Sequence, residues 1–320
     1  MERLIAASYL TKEERKALLK KNDTKAILGI LLHWGWIALA FTLVYWWPNV
    51  FTIILSLFIL GGKQLACSVL MHDAAHHAVF SNKQVNDFMG QWLGGYLVFQ
   101  DMLGYRPYHW EHHVKVGTMD DPDLLLTRGY PTSRASMFRK FFRDLSGQTG
   151  VKSWLGLIAI HLGYLKYNLG GKVERVSQKD RTWTEFFVTF FKQLSGPILA
   201  NILLFLVLTI LASPYLFLLW VVAYFTTFQF SIRVRAMAEH SMVDDPSDPM
   251  KNTRTTYANW LERMLFAPYN VNYHLEHHML MAVPPYNLPK MHHLLLERGF
   301  YETGTLEKSY WDVIKLAVRT

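Results

Sequence analysis

The sequence predicts an all-α integral membrane protein: four transmembrane helices in two hairpins, with a cytoplasmic, histidine-rich helical cap. Three observations predict it. Four apolar runs fall in two close pairs, positive charge gathers at one end of those pairs, and ten of the 14 histidines lie on that same side.

A spanning helix needs about 20 predominantly apolar residues. The first run is 26–47, AILGILLHWGWIALAFTLVYWW, and the second is 50–71, with only Pro48-Asn49 between them. The third is approximately 193–211 and the fourth 215–231, separated by Ala212-Ser213-Pro214. Neither turn carries charge. The other ends carry a great deal. Lys12, Arg15, Lys16, Lys20, Lys21 and Lys25 precede the first run. Arg128, Arg134, Arg139, Lys140, Arg143, Lys172, Arg175, Lys179 and Arg181 lie between the second and third, and Arg233 and Arg235 follow the fourth. The positive-inside rule puts the N-terminus, the middle region and the C-terminus in the cytoplasm. One membrane domain over 1–320 is expected, its cap formed by 72–192 and 232–320. The shorter apolar stretches 88–103 and 154–165 read as interfacial or buried helices. Lys63, inside the second run, either snorkels or faces a partner in the bundle. His33 reads as a hydrogen-bonded interior histidine.

Composition sets wider bounds. Hydrophobic residues make up 51% of the 320, only slightly above a soluble norm, so arrangement rather than content argues for the membrane. The net charge of +8 suits anionic headgroups. It would also suit nucleic acid, but no nucleic-acid motif is present and no such partner is expected. Cys67 is the single cysteine, which excludes an internal disulfide and a cysteine-based zinc site. It reads as a small buried hydrophobe. The N-terminus shows no cleavable signal, and Glu2 excludes N-myristoylation.

The histidines form four groups: His72, His76 and His77 in HDAAHH; His109, His112 and His113 in HWEHH; His240 after Glu239; and His274, His277 and His278 in HLEHH. On a helix, residues three and four apart share a face, so each triplet can aim several imidazoles at one point. An HxxHH pattern should arise by accident roughly 0.03 times in a chain of this histidine content, and two copies occur. Lone histidines such as His161, His292 and His293 read as solvated or satisfied side chains. Imidazole nitrogen suits iron, zinc, copper or nickel, and one ion takes at most about six such ligands. Nine histidines are too many for one ion and suit two. An all-nitrogen dinuclear centre at a bilayer surface points to iron and dioxygen chemistry on an apolar substrate, since catalytic zinc uses fewer ligands and keeps an open position.

These residues resemble the membrane fatty acid desaturase superfamily, whose members show boxes HxxxH, HxxHH and HxxHH around two apolar hairpins. Here they stand as HDAAH, HWEHH and HLEHH, in order, and the resemblance covers roughly residues 26–296. The segment YNVNYHLEHHMLMAVPPYNLPKMHHLL, with Pro284, Pro285 and Pro289, is similar to the third-box region of bacterial desaturases and of the sphingolipid desaturase branch. The resemblance implies a di-iron centre, dioxygen as co-substrate, and His72, His76, His109, His112, His113, His240, His274, His277 and His278 as catalytic metal ligands. It puts His77 in a second shell or as a reserve ligand. Some relatives carry Asn four residues before the lone histidine, where this chain has Ala236.

The implied activity is desaturation of a fatty-acyl or lipid chain. Hydroxylation or ketolation of an alkyl, carotenoid or small amphiphilic substrate is the alternative. A metal transporter would need polar residues along the spans, and the third and fourth runs offer almost none. No haem-attachment motif, cysteine cluster or dinucleotide fingerprint is present, so a separate donor of the ferredoxin, cytochrome b5 or reductase type is expected. Membrane lipids are the other expected partners, and the bacterial inner membrane is the expected location rather than the endoplasmic reticulum. Asp73, Glu111, Glu239 and Glu276 beside the boxes read either as acceptors for a ligand's second ring nitrogen or as ion-pair partners of Arg106 or Lys115. MDDPD (Asp120, Asp121, Asp123) and VDDPSDP (Asp244, Asp245, Asp248) read first as turns. Tyr108, Trp110, Tyr269 and Tyr273 read as packing.

Overall fold

The computed structural model describes residues 2–319. The chain is mostly helical. Two short helices, α1 (Glu2–Tyr9) and α2 (Lys12–Leu18), precede α3 (Asp23–Trp46) and α4 (Val50–Ala75). Next come α5 (Lys83–Trp92), α6 (Met102–Lys115), α7 (Leu124–Thr127), α8 (Arg134–Leu145) and α9 (Gln148–His161). The helices α10 (Trp183–Leu211), α11 (Leu216–Phe225) and α12 (Thr227–His240) follow, and α13 (Trp260–Leu265), α14 (His274–Met279), α15 (Leu288–Glu297) and α16 (Tyr310–Leu316) complete the set. Among the described residues, four segments are long and apolar enough to cross a bilayer: α3, α4, α10 and the continuous run 216–240.

The helices overrun the predicted spans because hydropathy marks the bilayer whereas capping marks the helix. The side chain of Asn22 accepts from the Lys25 backbone and starts α3 at Asp23. Asn49 and Thr52 form a reciprocal capping box that starts α4. That helix then continues four residues past the apolar run and carries the first histidines. A second box, Thr182 with Glu185, starts α10 ten residues before the predicted 193. The stretch 88–103 is not one helix. It breaks after α5 into a 3₁₀ turn, Gly95–Val98, because the chain passes close to α4 there: a Cβ on Gly94 would lie 2.8 Å from the Cys67 carbonyl. The predicted helix 154–165 is α9, which begins six residues earlier and ends before Gly163, where φ is +76°.

Helix α4 is the central post. Its apolar window is 72% buried, against 33–44% for the other three segments, whose outer faces are left for lipid. Glycine lets the neighbours approach. A Cβ on Gly61 would lie 2.3 Å from Thr227 Oγ1, and one on Gly62 would lie 2.4 Å from the Met264 carbonyl. Interhelical hydrogen bonds fix the register: Ser56 Oγ donates to the Ala40 carbonyl at 2.8 Å, and Gln64 Nε2 to the Trp220 carbonyl at 2.8 Å. Lys63 is buried, with its ammonium 6.0 Å from the Trp36 ring. Cys67 is buried, and its Sγ lies 3.5 Å from His33 Nε2.

Two pairs of two-residue strands, Thr132–Ser133 with Val318–Arg319 and Thr255–Thr256 with Leu306–Glu307, run parallel and tie the C-terminal segment to the rest. They are an exception to the all-α expectation and too short to leave a period in the sequence.

Candidate metal centre

Four elements bring the histidines together. The last turn of α4 presents His72, and His76 caps that helix. His109, His112 and His113 share one face of α6, which Asp101 starts by accepting from the Gly104 backbone at 2.7 Å. His240 closes α12. His274, His277 and His278 occupy α14, six residues long and almost wholly buried. Before α14 the chain turns sharply through Tyr269 and Asn270, both at positive φ (52° and 60°).

The nine side chains form two adjoining sets. One ligand nitrogen from each of His72, His76, His109, His113 and His277 lies within 4.8 Å of all the others in that group. His112, His240 and His278 form a second group by the same measure, and His274 joins it through Nε2, 2.8 Å from His240 Nε2. The sets touch through His113 and His278, whose ring centroids are 4.2 Å apart. His77 is not brought in. The backbone turns left-handed there (φ 53°) and sends its Nδ1 to within 3.4 Å of Asp87.

The donors fit metal ions. His113 Nε2 lies 3.1 Å from His109 Nε2 and 3.2 Å from His277 Nε2. Neighbouring ligands about 2.1 Å from one ion sit roughly 3.0 Å apart at a right angle. His72 Nε2 and His76 Nε2 are buried without a hydrogen-bond partner. Burial holds His109, His113, His277 and His278 well below the ordinary imidazole range and pushes His76 down to about 3, with the neighbouring imidazoles and Arg106 adding to the effect. All are therefore neutral at pH 7, the form that binds metal. His112 differs. Burial would lower it, but the hydrogen bond to Asp121 and the charges of Asp123 and Glu239 outweigh burial and raise it.

Carboxylates surround the ligands. Asp73 accepts from His72 Nδ1 at 2.8 Å, and Glu239 lies 3.5 Å from His274 Nδ1 while pairing with Arg235 at 2.6 Å. Glu111 faces away and pairs with Lys115. Glu276 is fully buried yet accepts from His292 Nδ1 at 2.6 Å, from Thr255 and from Tyr301, not from a ligand. His292 is thus a satisfied side chain that braces α14, and His161 is likewise satisfied, 2.8 Å from the Phe99 carbonyl. The turn reading of MDDPD was incomplete. Asp121 bonds His112 Nδ1 at 2.8 Å, and Asp123 accepts from Tyr108 and groups with His109 and His112. Its position nine residues past a ligand was the available signal. Asp244, Asp245 and Asp248 stay in a surface turn, where Asp245 caps Ser247.

If His112 holds a metal ion, Asp121→Ala should weaken metal retention by about 10- to 100-fold, because that imidazole loses the partner that fixes its tautomer and orientation. Metal content after dialysis against graded chelator measures this.

The sequence pattern of the Fatty acid desaturase family matches residues 44–311. The chain is similar to a dihydrorhizobitoxine desaturase of Bradyrhizobium elkanii, 27% identical over 279 residues that cover 82% of this chain and 72% of that protein. It is also similar to an sn-1 oleoyl-lipid 12-desaturase of Synechocystis sp., 23% identical over 298 residues that cover 88% of this chain and 79% of that protein. With its histidine boxes clustered in space, four apolar helices and a family match over most of its length, the chain belongs to the fatty acid desaturase family.

Proposed function

We propose that this desaturase-type oxidoreductase is a membrane-bound di-iron oxidase that removes two hydrogens from a fatty-acyl or lipid chain. One dioxygen takes up two electrons, two protons and the two substrate hydrogens, giving a double bond and two waters. The observation that carries the reading is the pair of adjoining imidazole sets, which supply nine nitrogen donors for two ions. His72, His76, His109, His113 and His277 hold one iron; His112, His240, His274 and His278 hold the other. Iron bound there supplies the oxidising power that an unactivated C–H bond demands.

The chain's own residues do the rest. Asp73 and Asp121 lock the tautomers of His72 and His112. Burial on α4, α6, α12 and α14 excludes water from the reacting carbon. The spans form two hairpins, with the histidines in the cytoplasmic cap, in agreement with the clustered Lys and Arg around the boxes. A bacterial inner membrane suits that layout. Electrons come from a separate carrier of the ferredoxin, cytochrome b5 or reductase type. The desaturase names of both relatives favour double-bond formation over hydroxylation.

Iron quantification coupled to lipid profiling of expressing cells tests this. Near two irons per chain and products two hydrogens lighter are expected. Products heavier by one oxygen would assign a hydroxylase, and protein without bound iron would defeat the proposal.

A further inference from the structure

Two hollows differ in chemistry. One, about 370 Å³, lies between α10, α11 and the tip of α9, among Trp154, Phe205, Trp220 and Tyr224. It contains no residue of the metal centre. The other, about 130 Å³, reaches it: Asp73, which holds His72, forms part of its wall. Gly29, Leu70 and Tyr269 form its apolar side, and Lys25 and Tyr286 stand in it as well.

Two features point to an anion. The ammonium of Lys25 lies 5.8 Å from the Tyr286 ring centroid, and the Lys25 side chain is exposed. The Tyr286 hydroxyl accepts from the Asn22 backbone N–H at 2.6 Å, which leaves its own hydrogen to donate. The hollow falls below the roughly 300 Å³ at which pockets for drug-sized ligands begin, so it suits a head and its first carbons rather than a long chain.

We propose that this cleft receives the anionic head of the substrate, a carboxylate or phosphate, with Lys25 Nζ and the Tyr286 hydroxyl as its partners. The proposal rests on the desaturase reading and adds to it a substrate class. An exposed ammonium and a phenol donor meet the head, while the chain beyond passes Gly29 and Tyr269 toward Asp73. Lys25 is a specificity-determining residue in this scheme and takes no part in the chemistry.

The test is equilibrium binding to the iron-loaded full chain in detergent, with dodecanoate, dodecyl phosphate and uncharged dodecanol as probes. The charged probes should bind at least about tenfold more tightly than dodecanol, the size of one hydrogen bond to a charged group. Lys25→Ala should remove that advantage and Lys25→Arg restore most of it, with iron content unchanged. Gly29→Ala should narrow the cleft and weaken both charged probes; a Cβ there stands 3.5 Å from the Tyr269 ring, ordinary contact, so the fold tolerates it. Tighter dodecanoate assigns a carboxylate head, and tighter dodecyl phosphate a phosphate head. Equal binding of all three probes, binding of none, or a charged-probe affinity indifferent to Lys25→Ala overturns the proposal. Lipid profiles of the expressing cells separate the two claims: unsaturated product alongside failed binding removes only the head site, whereas no product and no iron removes the desaturase reading itself.

Discussion

His113→Ala should abolish product formation, with unsaturated lipid in expressing cells falling by about 100-fold or more, beyond the 10- to 100-fold typical of a supporting residue. His113 is where the two sets meet. Its Nε2 faces His109 and His277 at 3.1 and 3.2 Å, and its ring lies 4.2 Å from that of His278. In the proposed centre, removing it would take a donor from the first ion and the packing partner of a ligand to the second. Iron should therefore fall from near two per chain to one or fewer. His77→Ala is the matched control. It lies as close to the first box in sequence but turns toward Asp87, so iron content and product should stay within about twofold of the parent, as for a surface substitution. Metal analysis by mass spectrometry and lipid profiling read both. Retention of two irons by the His113 variant would sink the ligand assignment.

Arg254→Met should cost about 3 kcal/mol or more of stability, since hydrogen bonds to charged groups contribute roughly 1.5–3 kcal/mol each. Arg254 is 2% exposed. Its guanidinium donates to the carbonyls of Ala238 at 3.2 Å, Ser241 at 2.9 Å and Met242 at 2.7 Å. The Ala238 carbonyl is one of the orphan acceptors of the last turn of α12, and Ser241 and Met242 follow directly after it, where a cation also suits the helix dipole. The same turn carries His240, and the Arg254 backbone N–H reaches the Glu239 carbonyl at 2.9 Å. Losing the guanidinium should lower the thermal midpoint in detergent and release one iron more readily than the other. Arg254→Lys keeps the charge but not the fork and should recover only part of both. A variant with parental melting and parental iron would show that the carbonyls find other partners.

The boxes were legible because ligand geometry is written into local spacing. Three and four residues on a helix determine which imidazoles converge, and no distant contact is needed to read it. The four apolar segments were legible for a similar reason, since bilayer thickness sets their length. The helix ends were not, because Thr182, Glu185 and Asn22 act through capping after hydropathy has faded. Arg254 looks like any surface arginine, and its burial arises only when 251–256 fold back onto α12. Asp121 reaches His112 through a loop whose return path has no periodicity. Glu276 shows the converse failure. Its place in HLEHH offered either a ligand imidazole or a nearby cation as partner, yet tertiary packing gave it His292, Thr255 and Tyr301. Asn270 at positive φ is a residue type enriched there, but Tyr269 beside it adopts positive φ with no local preference to announce it.

The unbroken course of α4 from Val50 to Ala75 makes that helix a ruler. Each residue between its capped start and His72 adds about 1.5 Å of height and about 100° of rotation. A single insertion would therefore swing the first box off its aim. A seven-residue insertion would bring it back within about 20° of its bearing but some 10 Å further from the bilayer. If the histidine sets hold the proposed irons, the height of that centre along α4 is counted out in helical turns.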